Sequence, residues 1–243
     1  MLTRTWEVVL PNPDLSTVNT LAFDIFGTVL NLSDSLILPT DRFLKDHGAA
    51  VDANSFWSDW RNRQRIEQYQ DNLLMLGHSG YLETCRRALI YCLRLHGVQF
   101  TYDDVEQFME VYQRLQPYPD AVEGLAKLST SFHLVALSNG EQGYLEHLVE
   151  NNICVEFSEI ISVEQAGVFK PHPAVYRTAA KVLGREPAEI MMVAAHSFDI
   201  MGARACGFRG AYVNRYGLPM EETPYLPDLE VADFLELAAH LVS

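Results

Sequence analysis

The sequence predicts an α/β fold: a doubly wound parallel sheet with an all-helical segment inserted after its first strand. Three observations point there. A short apolar run, Thr20-Leu21-Ala22-Phe23, stops on a carboxylate, Asp24, as a strand buried on both faces does where the chain leaves the sheet. Over residues 31–115 the apolar spacing is mostly helical. Beyond Pro117, short apolar runs alternate with helical stretches, the pattern of parallel strands joined by right-handed crossovers.

Each element follows from its own spacing. Gly27 lets the backbone turn tightly after Asp24, and Thr28 brings a hydroxyl within reach of that carboxylate. Residues 33–47 read as helix, and 55–65 as a second helix opened by Ser55 as its cap. Residues 81–96 are amphipathic, with Leu82, Cys85, Ala88, Leu89, Cys92 and Leu93 on one side. Thr101 caps a further helix over 101–115, in which Val105, Phe108, Met109 and Tyr112 repeat at helical spacing. Pro117-Tyr118-Pro119-Asp120 marks the return to the sheet. Helices are then expected over 121–128, 141–151, 173–183 and 200–206, and strands over 132–137, 160–163, 190–195 and 210–213. Residues 1–30 and 116–243 would form the core domain and 31–115 a helical cap domain.

The 243 residues are enough for a core domain carrying a smaller one. A formal net charge of -14 disfavours nucleic acid or an anionic membrane as partner, because the summed field repels both. An anionic substrate would need local cations, for which Arg61 and Lys170 are the candidates. Cys85, Cys92, Cys154 and Cys206 show no CxxC spacing and read as reduced thiols. The stretch over residues 1–20, broken by Pro11 and Pro13, lacks the apolar core of a signal peptide, and no run approaches a membrane span. A cytoplasmic protein is expected.

Polar residues cluster at successive strand ends: Asp24 with Thr28, Ser138 with Asn139, Lys170, then His196 with Asp199. A doubly wound sheet brings these ends to one edge, where its ligands bind. A nucleophile, a hydroxyl, a lysine and a second carboxylate meeting there make an active site. Phe23-Asp24-Ile25-Phe26-Gly27-Thr28, Leu137-Ser138-Asn139, Lys170-Pro171 and Phe198-Asp199-Ile200-Met201-Gly202-Ala203-Arg204 resemble, in order, the four motifs of the haloacid dehalogenase superfamily. The resemblance runs from about Leu21 to Asn214 and implies the Rossmann-like core of that superfamily.

The commoner chemistry of the superfamily is magnesium-dependent phosphoryl transfer, using a second carboxylate two residues after the nucleophile. Here that position is Phe26, which neither donates a proton nor holds an ion. Ala194 and Ala195 stand where phosphatases place Gly-Asp, leaving Asp24 and Asp199 as a thin oxygen shell for magnesium. No metal or other cofactor is therefore expected. What remains resembles the L-2-haloacid dehalogenase branch. That resemblance implies that Asp24 attacks the halogen-bearing carbon to form an ester, which water then opens. It further implies that Lys170 keeps Asp24 ionised, that Asp199 pairs with Lys170 and helps activate water, and that Thr28 hydrogen-bonds the nucleophile. Ser138 and the backbone amides of Ile25 and Phe26 would hold the substrate carboxylate. Asn139 would lie near the halide and Tyr176 near the nucleophile. A homodimer is the assembly common among such relatives.

Trp60-Arg61 followed by Gln64 is similar to the family's cap helix, whose arginine binds substrate and departing halide. Arg61 either does this or lies along the helix surface, as Arg63 and Arg65 are expected to do. Trp60 is either core or pocket wall. The fourth motif departs from the family's best-known pattern at Ala194 and His196, where that pattern has Ser and Asn. His196 would be a hydrogen-bond partner, a base or a packed turn residue. Two rival functions remain: a phosphatase for a small phosphomonoester with a degraded magnesium site, and a non-catalytic relative that binds a small anion.

Overall fold

The computed structural model describes residues 14–242, so the expectation for the first thirteen residues lies outside the described part. Strand β1 (Thr20–Phe23) leads through a tight loop to β2 (Leu30–Asn31). Four helices follow: α1 (Leu32–Asp46), α2 (Ala53–Leu73), α3 (Tyr81–Leu95) and α4 (Tyr102–Met109). Strand β3 (Gln116–Pro117) pairs antiparallel with β2, so the two chain crossings at residues 30–31 and 116–117 lie side by side. Then come α5 (Pro119–Leu128), β4 (His133–Ser138), α6 (Gln142–Leu148), β5 (Glu159–Ser162) and α7 (Pro173–Leu183). The chain continues through β6 (Ile190–Ala194), α8 (Ser197–Ala205), β7 (Arg209–Val213), β8 (Leu229–Val231) and α9 (Phe234–Leu241).

Six strands form one parallel sheet in the order β5-β4-β1-β6-β7-β8. Both faces are covered, which is why the strands read as unbroken apolar runs. Leu21 and Phe23 enter one apolar layer with Met191, Val193 and Phe234, while Ala22 enters the opposite layer with Val135, Met192 and Tyr176. Phe23 and Phe234 stack with ring centroids 5.6 Å apart. Burying each such ring contributes roughly 1.5–3 kcal/mol.

Several local expectations change. Asp52, not Ser55, caps α2: its carboxylate accepts from the Ser55 amide. The helix expected over 101–115 is cut at Met109, beyond which Glu110–Arg114 tightens into a 3-10 turn. After α6, Val149–Ile153 widens into a π turn instead of continuing as α-helix. Strand β8 and helix α9 go beyond the elements expected from spacing. The strand is only three residues long and follows a polar loop, so no period announces it. No described helix is long and apolar enough to cross a membrane.

Candidate active site

The chain enters the sheet centrally at β1 and later adds β4 on one side and β6 on the other. The carboxyl end of β1 is therefore the point where strand order reverses, the place where open α/β sheets keep their ligands. Asp24 stands there, its amide held by Val193 O at 3.0 Å. The loop beyond it closes on itself: Gly27 N donates to Leu30 O and Leu30 N to Ile25 O, both at 2.9 Å. Gly27 has φ +90°, and a Cβ at that position would lie 2.9 Å from the Tyr216 hydroxyl. Glycine meets both demands.

The two oxygens of Asp24 are held differently. Oδ2 accepts from the Thr28 hydroxyl at 2.7 Å and faces His196 Nδ1 at 3.2 Å. Among the described residues Oδ1 has only Lys170 Nζ, at 3.5 Å. Thr28 is fixed in turn by the Ala195 amide, which donates to its hydroxyl at 2.9 Å. Lys170 Nζ donates more closely to Leu137 O at 2.6 Å and to Asp199 Oδ2 at 2.7 Å. The Tyr176 hydroxyl donates to the other Asp199 oxygen at 2.7 Å.

Burial opposes the charge on Asp24, but the Lys170 ammonium and the His196 and Thr28 hydrogen bonds outweigh it. They hold the carboxyl well below the usual carboxylate range. Asp199 moves the other way: burial raises its proton affinity, the nearby Asp24 charge adds to that, and Lys170 only partly offsets them. Burial pushes His196 down to about 4, so the imidazole is neutral at neutral pH. An ionised Asp24 can only accept, which puts the imidazole proton on Nδ1 and leaves Nε2 bare.

Helix α2 crosses over this strand end. Arg61 donates from Nη1 to Gln64 and from Nη2 to the carbonyl of Phe26 at 3.3 Å. A small chamber of about 20 Å³ lies between helix and strand end; Asp24, Phe26, Arg61, Asn139, Lys170 and His196 all border it. An outer pocket of about 230 Å³, bordered by Trp57, Ser58, Tyr216 and Leu218, shares Arg61 and Arg65 with the chamber. The ring of Phe26 stacks on Tyr81 at 3.8 Å between centroids.

Other expected residues lie behind this surface. Thr28 and Asp199 are buried supports of Asp24 and Lys170. The side chain of Ile25 is fully buried, so only its backbone faces ligand chemistry; among the described residues the Ile25 and Phe26 amides donate to no backbone acceptor. Ser138 is buried with its hydroxyl unpartnered. The Asn139 amide is already engaged, accepting from Lys170 N at 2.9 Å and donating to Gln68 at 3.2 Å.

Three expectations are corrected or decided. Tyr176, expected near the nucleophile, is fully buried and bonds Asp199 instead, because α7 packs it into the apolar layer with Ala22 and Met192, away from the residues that border the chamber. Arg65, expected along the helix surface, borders the chamber; it follows Arg61 by one helical turn and so shares its face. That i,i+4 spacing was the available signal for Arg65, as i+7 was for Gln68. Trp60 is core, 1 % exposed, with its indole N–H donated to Cys85 O at 2.8 Å. Arg63 does lie on the surface, bonding Glu67 at 2.8 Å and stacking over Tyr91.

A family model described as haloacid dehalogenase-like hydrolase matches residues 18–207. The (S)-2-haloacid dehalogenase of Xanthobacter autotrophicus is 33 % identical over 82 % of this chain and 76 % of its own. (S)-2-haloacid dehalogenase 4A of Burkholderia cepacia is 30 % identical over 82 % of this chain and 84 % of its own. A solved structure of the Xanthobacter autotrophicus L-2-haloacid dehalogenase, with chloropropionic acid covalently bound, superposes with a TM-score of 0.78. It is 27 % identical and covers 93 % of this chain and all of that one. By sequence and fold together, the chain belongs to the haloacid dehalogenase-like hydrolases, on the (S)-2-haloacid dehalogenase branch.

Proposed function

We propose that this protein hydrolyses the carbon–halogen bond of short 2-haloalkanoic acids to 2-hydroxy acids through an ester on Asp24, without a metal. The observation that carries this is the unequal holding of Asp24: one oxygen doubly hydrogen-bonded, the other held by Lys170 alone at 3.5 Å, beside an arginine-lined chamber. Oδ1 attacks C2 of the substrate as the carbon–halogen pair departs with the halide, which Arg61 receives. The substrate carboxylate is held by the Ile25 and Phe26 amides and the unpartnered Ser138 hydroxyl.

Water then adds to Cγ of the ester. The resulting oxyanion on Oδ2 is met by the two donors already aimed there, Thr28 and His196 Nδ1–H. The Cγ–Oδ1 bond breaks, so the product hydroxyl keeps Oδ1 and Asp24 keeps the water oxygen. His196, at about 4, is too weak a base to drive this step and serves as donor. Lys170, which stands between Asp24 and Asp199, takes one water proton while passing one of its own to Asp199, whose proton affinity is raised. The second water proton goes to the departing alkoxide, which leaves as the product hydroxyl. The helical segment 31–115 acts as the cap that carries Arg61. The exposed apolar turn Leu73, Leu74, Met75 and Leu76 supports a homodimer.

The phosphatase reading is disfavoured by Phe26, packed on Tyr81, and by Ala195, whose position offers no oxygen side chain. The deciding experiment is chloride release from 2-chloropropanoate in excess EDTA beside hydrolysis of p-nitrophenyl phosphate in added magnesium. Chloride release that survives EDTA with negligible phosphate release is expected; the reverse pattern overturns the reading.

A further inference from the structure

Arg65 carries a charge that no ion pair among the described residues answers. It is half-buried on α2 and borders both the chamber at Asp24 and the outer pocket. Its buried Nε has no hydrogen-bond partner, and among the described residues its guanidinium joins no ion pair. The Phe198 ring lies 5.8 Å from its Cζ. The other arginines of α2 are engaged: Arg61 with Gln64 and Phe26, Arg63 with Glu67. Burial and the adjacent positive Arg61 both weigh against the Arg65 charge, and an anion arriving there offsets them by direct attraction.

A simple 2-haloalkanoate does not supply that anion. In the reaction proposed above, its single carboxylate goes to the Ile25 and Phe26 amides with Ser138, and its halide goes to Arg61. Resting on that reading, we infer that the preferred substrate is a 2-halodicarboxylate, whose second carboxylate is received by Arg65 where chamber and outer pocket meet. The space fits this division. A chamber of about 20 Å³ has room for little beyond the reacting atoms, whereas the adjoining 230 Å³ pocket takes a further arm. A guanidinium offers a planar fork that matches a carboxylate in two parallel hydrogen bonds.

The test compares chloride release from 2-chlorosuccinate and 2-chlorobutanoate, which have the same carbon count, near neutral pH where every carboxyl is ionised. The parent protein is expected to favour 2-chlorosuccinate in kcat/KM by roughly tenfold or more, mainly through KM. Arg65→Gln should collapse that ratio, and Arg65→Lys should restore part of it. No preference in the parent, or a preference that survives Arg65→Gln, overturns the inference. Chloride release from 2-chlorobutanoate without preference would leave the dehalogenase reading standing; release from neither substrate would remove both.

Discussion

The hydroxyl of Tyr176 donates to Asp199 Oδ1 at 2.7 Å, while Lys170 holds the other oxygen of the same carboxylate at the same distance. Asp199 is thus clamped on both sides, and through Lys170 it sets where positive charge falls beside Asp24. Tyr176→Phe should keep the fold, since the ring remains packed in the sheet core. It should reduce kcat by about tenfold, in line with roughly 1.5 kcal/mol for a hydrogen bond to a charged group. Because the lost bond favoured the ionised form, the Asp199 proton affinity rises further and the acid limb of the pH–rate profile moves to higher pH. An unmoved limb would mean that Asp199 does not titrate in turnover.

Gly202 makes that clamp possible. A Cβ there would fall 2.6 Å from the Tyr176 hydroxyl and 2.8 Å from Pro171 Cβ, so any side chain pushes Tyr176 off Asp199. Gly202→Ala should cost about 1–3 kcal/mol of stability from overpacking, read as a lower urea midpoint. Its acid limb should shift in the same direction as that of Tyr176→Phe. A stability loss without the pH shift would separate packing from proton affinity.

The ester intermediate makes a claim about one atom. Single turnover in heavy-oxygen water should place the label on Asp24, with the product hydroxyl unlabelled, because water opens the ester at Cγ. Asp24→Asn should abolish halide release while leaving the thermal midpoint near that of the parent. Label found in the product alone would mean direct attack by water on substrate.

His196 gives a stability signature. Its folded pKa of about 4 lies below the 6.5 of a free imidazole. Between those values the unfolded chain takes up a proton that the folded chain refuses, so the contribution is complete above pH 6.5 and is lost as pH falls toward 4. The loss amounts to roughly 3 kcal/mol at most. Asp199, with its raised proton affinity, acts in the opposite sense, and Arg61 and Arg65 face the same imidazole from α2. A comparison with His196→Gln therefore isolates the histidine: the variant should show a flatter fall in urea midpoint across that window.

Much of this site was legible because its chemistry sits at strand ends, and strand ends are marked by abrupt changes from apolar to polar. Asp24, Lys170, His196 and Asn139 are placed at one sheet edge by the sequence pattern alone, since parallel topology forces those ends together. Tyr176 could not be oriented in the same way. Spacing places it on a helix, but which face of the sheet that helix covers is decided by the crossover. Arg65 was misread because a charged residue on a helix usually faces water, and only the docking of α2 over β1 shows that this face is covered. Strand β8 and the turn after Met109 were hidden because short elements carry too few residues to express a period.

Arg61 joins the helical segment to the chemistry. Its guanidinium reaches the Phe26 carbonyl at 3.3 Å, next to the two amides proposed for the substrate carboxylate. If it also receives the halide, its effect must be larger at the moment of displacement than at binding. Arg61→Ala should then lower kcat as well as raise KM, with a total loss in kcat/KM of about 2–5 kcal/mol. Arg61→Lys keeps the charge but offers a compact, strongly hydrated ammonium in place of a planar, weakly hydrated fork. It should recover binding more than rate. The leaving group supplies a further check: the penalty in Arg61→Ala should be greater for chloride than for bromide, since the poorer leaving group depends more on a positive charge to receive it. Equal penalties for both, or a change confined to KM, would reduce Arg61 to a substrate anchor and leave halide stabilisation to another group.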